Sequence, residues 1–125
     1  MILGLGTDLV EVTRISKSIS SYGSRFTRRV FTESERTYSE STANSAERFA
    51  ARFAAKEAAM KALGTGWAHG VTWTQIEVLN LPGGKPELIL RDTARQVADK
   101  MGVRKIWLTM SHTSQLASAI VILEG

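Results

Sequence analysis

Residues 52–66 read RFAAKEAAMKALGTG. Alanines with Phe53, Met60 and Leu63 at helical spacing, closed by Gly64, predict a long and largely buried helix. Asn44 followed by Glu47 marks its start, so the helix is expected over residues 45–63. Lys56, Glu57 and Lys61 are charged residues inside this apolar segment. With Phe49 set at zero and about 100° per residue, Met60 falls near 20°, Phe53 near 40°, Glu57 near 80° and Lys61 near 120°. Glu57 therefore lies within the apolar arc. An unpaired carboxylate there is costly, so it needs a cation, a metal or a wet cavity. The structural alternative is a surface Glu57–Lys61 pair at i,i+4, worth about 0.2–0.5 kcal/mol.

Upstream, MILGLGTDLV predicts a strand over residues 2–5 ending at a turn, GTD. A helix is expected from about Val10 to Ser20, with Val12, Ile15 and Ile19 at helical spacing. Short helices are expected through SRFTRRVFTESERTYSES, where Thr32 and Glu35 form a capping-box signature and start a helix at Glu33. Downstream, VTWTQIEVLNL suggests a strand, PGGKP a turn and ELIL a second strand. Asp92 to Met101 reads as an amphipathic helix followed by Gly102. KIWLTMS and LASAIVIL flank HTSQ as an antiparallel hairpin. The order is strand, three helices, two strands, helix, two strands. That order is α+β, with a mostly antiparallel sheet packed against the long helix.

The totals agree with one domain spanning residues 1–125. At 43% hydrophobic and 22% charged, the composition is that of an ordinary soluble globular protein. No run approaches the ~20 apolar residues that cross a bilayer. The start lacks a cationic region and is broken by Asp8, which reads as a strand and not a signal peptide. The absence of cysteine excludes disulfides and thiolate metal sites, and fits a cytoplasmic location. The net charge of +4 is unevenly spread. Arg14, Lys17, Arg25, Arg28 and Arg29 occur without an acidic residue between positions 14 and 29. Such a segment favours an anionic partner: nucleic acid, an acidic protein or a phosphate-rich small molecule. Only Tyr22 and Phe26 are interleaved, and no nucleic-acid motif is present, so a base-stacking platform is poorly supported.

Asp8 follows an apolar strand and two glycines, where backbone can hold a carboxylate rigidly; the alternative is an N-cap for the next helix. Two carboxylates and few histidines suit a hard cation such as Mg²⁺, with water and substrate phosphate completing its shell. Lys61 beside such a site would bind a phosphate oxygen as a point charge. GLGTDL lacks the third glycine of a dinucleotide fingerprint, and GTG at 64–66 lacks the ending of a P-loop and reads as a helix cap. Ser111, His112 and Thr113 form a polar cluster able to donate to an anion, or plain turn chemistry. No nucleophile elbow is present, and two histidines argue against zinc.

These segments resemble the short bacterial holo-acyl-carrier-protein synthases of the 4′-phosphopantetheinyl transferase superfamily. The matching stretches are GLGTDLVEVTRI, FTESE, ERFAARFAAKEAAMKALGTG, VTWTQIEV, GGKPEL and SHT, covering essentially the whole chain. Leu5, where isoleucine or valine is frequent, and Gln75, where an acidic residue is frequent, are mild departures. The resemblance implies the 4′-phosphopantetheinyl transferase fold. It also implies transfer of the 4′-phosphopantetheine arm of coenzyme A to a serine of apo acyl carrier protein, in support of fatty acid biosynthesis. Asp8 and Glu57 would hold Mg²⁺, with Mn²⁺ as a substitute, against the pyrophosphate, and Lys61 would support the leaving group. Arg52, Gly64, Thr65, Gly66, Ser111, His112 and Thr113 would lie along the coenzyme A path, with Gly84, Lys85 and Pro86 near the adenine. Arg14, Lys17, Arg25, Phe26, Arg28 and Arg29 would meet the carrier protein. Family members of this length are homotrimers with sites between subunits, and neither nucleic acid nor membrane is an expected partner. The acceptor of the serine proton stays open between a metal-bound water and Glu57 acting through water.

Overall fold

A computed structural model describes residues 1–66 and 68–125. Strand β1 (Ile2–Glu11) runs straight through the GTD triplet that the sequence suggested as its end. Alternation along the strand sends Gly4, Gly6, Asp8 and Val10 to one face. That face lies directly on helix α4 (Ser45–Leu63). A Cβ on Gly4 or Gly6 would collide with the carbonyl oxygens of Ala62 and Ala58. The glycines thus serve close backbone approach and not a turn. Asp8 is no N-cap either: helix α1 (Val12–Tyr22) begins after Glu11, two residues later than expected.

Helices α2 (Ser24–Val30) and α3 (Glu33–Glu40) follow, so four helices precede the next strand where three were expected. The capping box of α3 forms as predicted, with Thr32 and Glu35 bonding each other's backbone N–H. α4 starts at Ser45, but Asn44 does not cap it: its Oδ1 accepts from Thr42 Oγ1, and Glu47 is drawn to His112. Its far end closes as expected, with Gly64 left-handed at φ 77° and Thr65 N–H donating to the Met60 carbonyl.

The first residues of the VTWTQIEVLNL run form a 3₁₀ turn (Trp73–Gln75) before β2 (Ile76–Asn80). β2 pairs antiparallel with β3 (Pro86–Leu90), forming a small sheet of its own. After α5 (Asp92–Met101), strands β4 (Lys105–His112) and β5 (Leu116–Glu124) form the predicted hairpin. β5 also pairs antiparallel with β1, giving the order β1-β5-β4. The antiparallel character expected holds, divided between two sheets.

α4 packs against β1 and β5 on one side and against α1, α3 and β2 on others, so it is buried almost all round instead of along one stripe. Lys56 belongs to that buried surface. Its Nζ lies 2.8 Å from Glu35 Oε1 and donates to the Trp73 and Ile76 carbonyls. Glu35 Oε2 accepts from Val78 N–H at 2.8 Å, so this one carboxylate ties α3, β2 and α4 together. Removing one partner of such a buried pair typically costs about 3–5 kcal/mol. The face of β1-β5-β4 turned away from α4 carries Leu5, Leu9, Trp107, Leu116 and Ile120, each 41% to 65% exposed. No helix among the described residues is long and apolar enough to cross a membrane.

Candidate active site

β1 and α4 bring Asp8, Glu57 and Lys61 to one place. Lys61 Nζ lies 3.2 Å from Asp8 Oδ1 and donates to the Thr7 carbonyl at 2.9 Å. The Glu57–Lys61 helix pair is absent, and Glu57 has no ion pair or side-chain hydrogen bond among the described residues. Half-burial raises the Glu57 pKa, and the negative charge of Asp8 raises it further; Lys61 and Arg14 oppose both. Two carboxylates feeling each other's charge, one of them unpartnered, offer oxygen ligands of the kind a hard divalent ion takes. No group of three or more histidine, cysteine or acidic residues suited to a metal occurs among the described residues, so water and substrate oxygens would have to complete any shell. The residues fit Mg²⁺ bound through two carboxylates, water and substrate phosphate.

Glu57 also borders a crevice of about 340 Å³ lined by Arg14, Ile15, Phe26, Arg29, Phe53 and Trp73. Arg14 sits 5.7 Å over the Phe53 ring at its edge. An adjoining hollow of about 290 Å³ is lined by Tyr22, Arg25, Phe26 and Arg29. The basic residues of α1 and α2 thus border an apolar floor that leads to Glu57. Lys17 and Arg28 are exposed but line neither hollow.

Arg52 belongs elsewhere. Five residues from Glu57, it projects about 140° away around α4 and ~7.5 Å along it. It is buried in a second pocket, about 230 Å³, that also holds Arg48, Asn80, Gly84, Pro86 and His112. His112 closes β4 instead of sitting in the turn, and its Nδ1 lies 3.0 Å from Glu47 Oε1. Ser111 precedes it on the strand and so faces the opposite side of the sheet. Thr113 Oγ1 accepts from the Gln115 and Leu116 N–H groups, which is turn chemistry. Lys85 is exposed in the β2–β3 turn beside Gly84. Gly64, Thr65 and Gly66 cap α4 roughly 18 Å along the helix from Arg52. Tyr38, Arg48 and Asn80 were not singled out in the sequence; Tyr38 and Asn80 reach the pocket through tertiary packing, which leaves no local pattern. Glu47 was read only as a cap residue, and its partner is His112.

Residues 4–120 match the model of the 4′-phosphopantetheinyl transferase superfamily, and the chain belongs to that superfamily. Its relatives there are narrower in kind. A holo-[acyl-carrier-protein] synthase of Solibacter usitatus is 55% identical over the full length of both chains. The crystal structure of holo-[acyl-carrier-protein] synthase from Neisseria meningitidis superposes with a TM-score of 0.91 at 32% identity, covering 100% of each chain. A holo-(acyl-carrier-protein) synthase from Bacillus anthracis, in complex with CoA (3′,5′-ADP), superposes at TM-score 0.81 and 37% identity, covering 98% of this chain and 96% of that one.

Proposed function

We propose that this chain transfers the 4′-phosphopantetheine arm of coenzyme A to a serine hydroxyl of an apo acyl carrier protein, leaving adenosine 3′,5′-bisphosphate. The supporting observation is the meeting of Asp8, Glu57 and Lys61 at the edge of a crevice bordered by arginines. Attack on the β-phosphorus needs charge stabilisation and alignment, and no protein nucleophile. Asp8 and Glu57 would hold Mg²⁺. When bound, that ion neutralises charge on the pyrophosphate and grips it for in-line displacement. Lys61 shares Asp8 at rest and is more than half exposed, so it is free to swing to the departing phosphate and stabilise its growing charge. Arg14, Arg25 and Arg29 draw in the acidic carrier, and Phe26 supplies apolar contact beside them.

In this reading the active unit is a homotrimer. Arg52 and Glu57 face different sides of α4, an arrangement that suits a coenzyme A held between two chains. A neighbouring subunit would bring its Arg52 pocket, with Gly84, Pro86 and His112, opposite this chain's Asp8 and Glu57. The exposed apolar face of β1-β5-β4 supplies a surface for that packing. The test is the intact mass of an apo acyl carrier protein after incubation with the chain, coenzyme A and Mg²⁺. A gain of one phosphopantetheine, abolished by a chelator, is expected; an unchanged mass contradicts the proposal.

A further inference from the structure

Arg52 is only 3% exposed, yet no carboxylate pairs with it. Glu35, whose charge acts on it, is committed to Lys56, and Glu47, on the same helix, to His112. Its Nη2 donates to the neutral Asn80 Oδ1 and its Nη1 to the Arg48 carbonyl, while Nε is buried without a partner. The Tyr38 ring carries the Arg52 guanidinium at 4.4 Å and that of Arg48 at 4.5 Å. Burial lowers the Arg52 pKa, while Tyr38 and Glu35 pull it back up. Two cations therefore share one aromatic ring and no acid. Asn80 reaches the other way too: its Nδ2 donates to the Gly84 carbonyl at 3.1 Å. An arginine can only donate and a carbonyl only accept, so this amide orientation is fixed.

We infer that Asn80 is a positioning residue that holds Arg52 as an uncompensated cation, fastened to the β2–β3 turn, so that the pocket accepts a phosphate group of the nucleotide substrate. This rests on the reading that the chain binds coenzyme A. The physical point is the choice of an amide over an acid. A carboxylate at position 80 would pair with the buried guanidinium but could not donate to the Gly84 carbonyl. It would also cancel the charge that an incoming phosphate needs. The amide thus ties Arg52 to the turn and leaves its charge open to an anion.

The test compares wild type, Asn80→Asp and Asn80→Ala by calorimetric titration with coenzyme A and by thermal unfolding. Asn80→Asp is expected to bind coenzyme A at least about tenfold more weakly than wild type. Asn80→Ala adds no charge and is expected to melt lower while losing less affinity than Asn80→Asp. The KM for the carrier protein stays unchanged in both. An Asn80→Asp protein that binds as wild type does, or that loses no more affinity than Asn80→Ala, overturns the inference. Failure of wild type to bind coenzyme A would instead overturn the functional reading beneath it.

Discussion

Lys61 Nζ reaches across to Asp8 Oδ1 at 3.2 Å and leaves Glu57, one turn back on its own helix, without an ion pair. A lysine placed for stability would join its i−4 neighbour at little cost. Here it partners the strand carboxylate, and Glu57 remains half-buried beside a second negative charge.

That arrangement has a pH signature. Glu57 keeps its proton to higher pH in the folded chain than in the unfolded one, because burial and Asp8 raise its pKa. Stability is therefore lost as pH rises from the ordinary carboxylate range through the raised folded value. Glu57→Gln is expected to melt higher than wild type near pH 7 in the absence of divalent ions, and equally below about pH 4. Transfer should slow by about 10²–10³-fold. Melting curves across a pH series check the first part, and a stabilisation largest in acid would refute it.

Gly6 lets β1 touch the α4 backbone at Ala58. Gly6→Ala must push strand and helix apart, moving Asp8 relative to Glu57. Overpacking of this kind costs about 1–3 kcal/mol and more against backbone. Urea unfolding should show a lowered midpoint, with transfer lost out of proportion to the folded fraction. Wild-type values for both would mean that the close contact is dispensable.

Leu9 lies on the exposed apolar sheet face at 65% accessibility. Leu9→Asp is expected to convert a sedimenting trimer into folded, inactive monomer. Arg52→Ala and Glu57→Ala chains refolded together should regain part of the transfer that each lacks alone, since each can supply the half the other is missing. A mixture as inactive as its parents speaks against a shared site.

Arg25 lines the hollow beside Phe26, away from the Arg52 pocket. Arg25→Glu should raise the KM for the carrier protein about tenfold or more and leave the affinity for coenzyme A unchanged. Steady-state kinetics with each substrate varied would expose an equal loss in both.

Much of this was legible in the residues themselves. The 19-residue helix α4 matched its expected bounds because periodicity and a C-terminal glycine both mark it. β1 was cut short because glycines read locally as a turn, although Gly4, Gly6, Asp8 and Val10 already showed a period of two. Glu57 stood out as a candidate since a charge inside an apolar arc demands a partner, Lys61 as its neighbour at the edge of that arc, and Asp8 because it follows an apolar strand and two glycines. The role of Lys56 was not: its acceptor, Glu35, is 21 residues away and looked fully occupied by a capping box. Asn80 and Tyr38 gave no signal, because a neutral side chain that positions a cation resembles any other polar residue at a strand end or on a helix.

The most direct measurement is Mn²⁺ binding followed by electron paramagnetic resonance, with coenzyme A present, in wild type, Asp8→Asn and Glu57→Gln. One ion per chain in wild type and its loss in both variants is the expected result. Undiminished Mn²⁺ binding in either variant would show that strand and helix carboxylates do not serve the same ion.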